Sequence, residues 1–141
     1  MFEQATKAGP DLASATVLVI DDELVALKFS QKILENIGIG EVLTATGGGQ
    51  ALELLGQRDG PVDLIITDIE MPDMDGYSFV RRLRFGTVPQ FKDVPVIMLT
   101  GHYDDDHTKK ATAHRVQGFL VKPPSVQVMK VEVEKVLADA A

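Results

Sequence analysis

Apolar residues gather in five short runs rich in Val and Ile: Thr16 to Ile20, Val42 to Ala45, Val62 to Thr67, Val94 to Leu99 and Phe119 to Val121. Such runs, bounded by turn-forming residues, predict strands. Leu64 to Ile66 has no polar alternation, which predicts burial on both faces. Between the runs the spacing becomes helical, with Leu24, Leu27, Ile33, Leu34 and Ile37 stopped by Gly38, then Ala51, Leu52, Leu54 and Leu55, then Phe79, Val80 and Leu83. Gly47-Gly48-Gly49 predicts a turn before the second of these helices. The segment from about Asp105 to Arg115 predicts a helix with little apolar anchoring. At the end of the chain, Val126, Met129, Val133, Val136 and Leu137 form a helical stripe, while Val131 to Glu134 alternates like a strand; Ser125 as an N-cap and the length favour helix. On that helix Val128 and Val131 fall off the stripe and point away from the core.

Strands alternating with helices of ten to fifteen residues imply right-handed crossovers, a parallel sheet and helices on both faces. The 141 residues, 45% of them hydrophobic, suit one domain with its own core. Before Thr16, residues 1–15 read as a flexible leader. No signal peptide or spanning run is present, so the chain is expected to be soluble and cytoplasmic. The absence of Cys excludes disulfides, thiol catalysis and thiolate metal sites. A formal charge of -7 argues against direct nucleic-acid binding and favours proteins and cations as partners.

The candidate chemistry lies where the strands end. The third run closes in Asp68-Ile69-Glu70-Met71-Pro72-Asp73 and the first in Asp21-Asp22-Glu23. In an open parallel sheet both ends meet at the carboxyl edge, where ligands bind. Carboxylates converging there repel one another unless a cation sits among them, and oxygen-only donors suit Mg²⁺. Taken alone, Asp21 and Asp22 read equally well as caps of the following helix; together with Asp68 they read as a metal site. The fourth run brings the hydroxyl of Thr100 to the same edge and the fifth the ammonium of Lys122. A carboxylate nucleophile, a divalent cation, a fixed positive charge and a hydroxyl donor are the parts that phosphoryl transfer needs.

From Thr16 to about Leu137 the chain resembles a response-regulator receiver domain of the CheY-like kind, carrying VLVIDDE, DLIITDIEMPDMDG, VIMLTG and FLVKPP in the family's order and spacing. The resemblance implies a doubly wound (βα)₅ flavodoxin-like fold with a five-stranded parallel sheet in the order 2-1-3-4-5, the receiver occupying residues 16–141. It also implies phosphorylation of Asp68 by a histidine kinase or histidine phosphotransferase. Asp21, Asp22 and Asp68 would then hold Mg²⁺, with the backbone carbonyl of Glu70 as a further ligand. Thr100 would be the switch hydroxyl, Lys122 the phosphate-pairing amine, and Phe119 the aromatic that responds. A cis peptide is implied before Pro123. Asp73 and Asp75 read as turn and N-cap residues.

One departure stands out: His114-Arg115-Val116 occupies the place where the family commonly has a helix-ending Gly. A left-handed cap is costly there, so that helix is expected to end differently or fray. Little sequence follows Leu137, and the expected role is a stand-alone receiver that signals to a downstream protein target or through a phosphorylation-dependent homodimer, rather than an enzyme acting on other molecules. The alternative from a different class is a Mg²⁺-dependent phosphohydrolase with an aspartyl nucleophile, because Asp68-Ile69-Glu70 partly matches the Asp-x-Asp start of haloacid-dehalogenase-like enzymes. Glu in third place and the short chain weigh against it.

Overall fold

The computed structural model describes residues 9–101, 109–110 and 113–140. Five strands, β1 (Thr16–Ile20), β2 (Glu41–Ala45), β3 (Leu64–Asp68), β4 (Val96–Thr100) and β5 (Gly118–Val121), alternate with α1 (Leu24–Asn36), α2 (Gly48–Gln57), α3 (Gly76–Arg84) and α4 (Val126–Ala140). All neighbouring strands pair in parallel, in the order β2-β1-β3-β4-β5. Every residue of β1, β3 and β4 is buried, which is why these runs lack alternation. One face packs Leu18, Ile20, Ile65 and Met98 against Ala51 and Leu55 of α2 and Phe79 and Leu83 of α3. The other packs Val17, Val19, Ile66 and Leu99 against Leu27 and Leu34 of α1 and Met129, Val133 and Val136 of α4.

Several boundaries differ from those predicted, each for a physical reason. β4 begins at Val96 rather than Val94, because Pro95 has no N–H to give to the ladder. β3 begins at Leu64 rather than Val62; at Asp63 a side chain replaces the strand carbonyl, Oδ2 accepting the Thr16 N–H at 2.8 Å. Gly48 and Gly49 belong to α2 instead of preceding it, with Gly47 as the N-cap residue. Leu24 and Val126, placed on the core stripes, are 59% and 43% exposed. Each opens its helix, where the first turn projects beyond the sheet.

The C-terminal segment is helical throughout, with Ser125 Oγ accepting the Val128 N–H at 3.1 Å. Gly38, at φ 100°, ends α1 as its position predicts. Of the leader, residues 1–8 lie outside the described residues; Leu12–Ser14 forms a single 3₁₀ turn whose Leu12 carbonyl accepts the Gly40 N–H at 3.0 Å.

The helix predicted over Asp105 to Arg115 lies largely outside the described residues, although Lys109, Lys110, Ala113 and His114 are helical. Its end overturns the expectation set by the missing Gly: Arg115 itself adopts φ 56°. Arg84 compensates. One guanidinium nitrogen donates to the carbonyls of Lys92 (2.8 Å) and Val94 (2.7 Å), the other to the Arg115 carbonyl (2.9 Å). These bonds hold the turn although a side chain in the left-handed region costs about 1–2 kcal/mol. Arg115→Gly is therefore expected to stabilise the fold by about 0.5–1 kcal/mol, net of the added unfolded-state entropy. Its pairing with Asp93 is exposed and long at 3.8 Å, and losing it subtracts little. An unchanged or lowered denaturant midpoint would show that Arg115 is not strained.

Candidate functional site

Strand register assembles the site. Ile20 pairs with Thr67, so Asp21 leaves β1 abreast of Asp68 on β3. Asp68 pairs with Leu99, which places Thr100 one residue further along β4, and Thr100 pairs with Val121, which delivers Lys122. Asp21, Asp68 and Thr100 are buried, while Asp22 is exposed. Carboxylate oxygens of Asp21, Asp22 and Asp68 lie within 4.8 Å of one another. The Lys122 ammonium stands 2.8 Å from Asp21 Oδ2 and 3.4 Å from Asp68 Oδ2. Its backbone N–H donates to the Thr100 carbonyl at 2.7 Å, and the Lys122–Pro123 peptide is cis.

Asp21 does not cap α1. Glu23 is the N-cap residue, and Asp21 Oδ1 accepts the Glu23 N–H at 3.0 Å. Apart from Lys122, Asp21 Oδ2 has no donor among the described residues. A fully buried carboxylate with lone pairs to spare, beside two more carboxylates and no sulfur or imidazole, is a hard donor set that fits Mg²⁺. Glu70 is exposed and its carboxylate lies outside the cluster. Asp73 is likewise outside, and Asp75 caps α3 by accepting the Ser78 N–H at 2.7 Å.

Two residues received no individual role from the sequence, Gly76 being read only as the end of the loop from Glu70 that starts the next helix. Glu23 approaches the Lys122 ammonium at 3.7 Å, and its position as the third acid of Asp21-Asp22-Glu23 is the signal that marks it. Gly76 closes the loop after β3: its N–H donates to the Ile69 carbonyl at 2.7 Å, and a Cβ there would meet the Asp68 carbonyl at 2.5 Å. Only Gly lets the loop return so closely beneath the nucleophile candidate. Beside Lys122 a groove of about 500 Å³ runs between Val25 and Phe29 of α1 and Pro123 and Pro124. Phe119 is partly buried against the α2–α3 side of the core.

Burial pushes the Asp68 carboxyl up to about 6, with the charge of Asp21 adding to the rise and that of Lys122 opposing it. Burial alone would lower Lys122, but its hydrogen bond and charge interaction with Asp21, followed by those with Asp68, raise it. An acid raised in the folded state carries no penalty below its unfolded value near 4 and a full one above about 6. Asp68→Asn should therefore stabilise the metal-free protein at pH 7 by about 1 kcal/mol, allowing for solvent screening, and the gain should vanish by pH 4. Thermal melts across that range test it; an equal gain at both pH values would remove the charge explanation.

Comparison with known proteins agrees with this geometry. Residues 17–134 match the family described as the response regulator receiver domain. The chemotaxis protein CheY of Pseudomonas aeruginosa is 31% identical over 120 residues, covering 85% of this chain and 94% of that protein. The two-component response regulator ARR12 of Arabidopsis thaliana is 34% identical over 114 residues, covering 81% of this chain; the chain spans only 18% of the length of ARR12. Among solved structures, CheY4 of Vibrio cholerae superposes with a TM-score of 0.79 at 31% identity, covering 86% of this chain and 98% of that one. With its sheet order, its acids and its Thr and Lys all at the carboxyl edge, the chain belongs to the response regulator receiver domain family.

Proposed function

We propose that Asp68 accepts a phosphoryl group from the phosphohistidine of a histidine kinase or histidine phosphotransferase, and that the resulting change is passed on through protein contacts. The observation that carries this is the Lys122 ammonium set between Asp21 and Asp68, at 2.8 and 3.4 Å, on the open edge of a receiver fold. An Asp68 carboxylate oxygen attacks phosphorus, the P–N bond to the donor ring breaks with its electron pair returning to nitrogen, and the ring, already protonated at its other nitrogen, leaves as neutral imidazole. The product is an acyl phosphate on Asp68. Lys122 pairs with the transferred oxygens, and the Thr100 hydroxyl donates to one of them. Asp21, Asp22, Asp68 and the Glu70 carbonyl would hold Mg²⁺, which when bound neutralises charge on the phosphoryl oxygens.

Val25 and Phe29 rim the approach to Lys122 and offer apolar surface to a phosphodonor protein. On the far side, Val128 and Val131 of α4 are 52% and 53% exposed, as their place off the helical stripe predicts. They supply the surface for a downstream target or a phosphorylation-dependent homodimer. In this role the protein catalyses only its own phosphorylation and dephosphorylation, in the cytoplasm. Among the described residues no helix is long and apolar enough to cross a membrane.

Acetyl phosphate with Mg²⁺ should add one base-labile phosphoryl group, and Asp68→Asn should abolish it. Labelling of the Asn variant, or turnover of exogenous phosphate esters, would point to the phosphohydrolase instead. Asp22→Ala should slow labelling at least tenfold while leaving the melt unchanged or raised by relief of repulsion. Thr100→Ala should still accept phosphate but lose the amide shifts around Phe119 that phosphorylation causes in the wild type. Retention of those shifts would uncouple Thr100 from Phe119.

A further inference from the structure

α3 ends in Arg81-Arg82-Leu83-Arg84-Phe85, and Phe85 is 83% exposed, one of the two most exposed large apolar side chains described. Arg81 precedes it by four residues and Arg82 by three, so both are its neighbours on the same helix surface. Both are exposed, and neither has an ion-pair partner among the described residues. From Gly76 to Lys92 the chain carries Arg81, Arg82, Arg84 and Lys92 and no Asp or Glu, within a protein of net charge -7.

The end of α3 is rigidly held. The Gly86 and Thr87 N–H groups close the last turn on the carbonyls of Leu83 (3.1 Å) and Arg82 (3.2 Å), Leu83 is fully buried, and Arg84 is fastened to the carbonyls of Lys92, Val94 and Arg115. Because Arg84 bonds the loop entering β4, this patch sits at the amino edge of the sheet, opposite Asp68.

Basic residues in a last helical turn favour the helix dipole, and single exposed apolar side chains are ordinary. Neither explains an aromatic ring beside two arginines that have no ion-pair partner among the described residues, on a stretch of chain without an acid. Aromatic and Arg side chains on a fixed backbone are the composition of a binding hot spot, where little ordering entropy is lost on binding. We infer that the C-terminal turn of α3 docks a segment of another protein in which carboxylates flank a large apolar side chain, the apolar group covering Phe85 and the carboxylates pairing with Arg81 and Arg82. Of this chain's own exposed acids, Asp22, Glu70, Asp73 and Asp75 gather at the carboxyl edge, and a second copy docking through them would make a head-to-tail, non-closing contact. Nucleic acid is disfavoured by the net charge.

The test titrates the ¹⁵N-labelled full chain with a synthetic peptide bearing one phenylalanine between two pairs of carboxylates. Amide shifts should cluster at residues 81–87. Affinity should fall about tenfold for Phe85→Ala, for the charge reversal Arg81→Glu/Arg82→Glu, and for the peptide with alanine in place of its phenylalanine. None of these chain positions touches the phosphorylation site, so acetyl phosphate labelling of Asp68 should be unchanged and reports that each variant is folded. Shifts centred elsewhere, no shifts up to millimolar peptide, undiminished binding of the alanine peptide, equal shifts with a short oligothymidylate, or a dimer that the charge reversal dissociates would each overturn the assignment.

Discussion

Asp21 and Asp68 leave adjacent parallel strands in register, and the rest of the carboxyl edge is arranged around the repulsion this creates. Two buried carboxylates a few ångströms apart lose hydration and repel each other in a medium that screens poorly. Lys122 answers both, touching Asp21 more closely than Asp68. That inequality matters: Asp21 is the better neutralised of the two, while Asp68 keeps a carboxyl raised to about 6 and an oxygen only loosely held. The ammonium reaches this position because β5 lies next to β4 and the Lys122 N–H is tied to the Thr100 carbonyl. The sheet order 2-1-3-4-5 is therefore part of the electrostatics. An order that placed β5 beyond β2 would leave the acids of β1 and β3 together without their cation.

Which features were legible from the sequence follows from what each depends on. The central strands were legible because burial on both faces removes every polar residue from Val17 to Ile20 and from Leu64 to Ile66. The site residues were legible because each terminates such a run, so their convergence needs only a parallel sheet. Boundaries at Val94 and Val62 were misread because hydrophobicity reports burial, whereas pairing depends on N–H groups, which Pro95 lacks, and on side chains such as Asp63 that substitute for a strand. Leu24 and Val126 were misread because periodicity extends a stripe past the point where the sheet stops. Glu23 and Gly76 carry no periodic signal, since their roles arise from tertiary proximity to Lys122 and to the Asp68 backbone.

Arg115 illustrates a different limit. Read locally, a side chain in place of the helix-ending Gly argues against a left-handed turn. The turn forms because Arg84, 31 residues away, bonds the Arg115 carbonyl and also the two carbonyls that lead into β4. Four orphan-prone backbone groups and one unfavourable φ are settled by neighbours that no local rule sees; the fourth is the Val96 N–H, which Gln117 Oε1 accepts at 2.7 Å. The strands that carry Thr100 and Lys122 are thus fastened together at their amino ends as well as joined at the site.

The same polarity separates charge across the domain. Chain direction in a parallel sheet sends every strand-terminal acid to one edge and the C-terminal turns of the helices to the other, where Arg81, Arg82 and Arg84 complement the α3 dipole. An acidic protein consequently has a basic end on α3. A phosphoryl group added at Asp68 deepens the negative edge without touching that end, so the separation of charge grows while the net charge becomes more negative. A charge at one edge is thereby screened from the other, because such interactions fall off within about 8 Å in physiological salt.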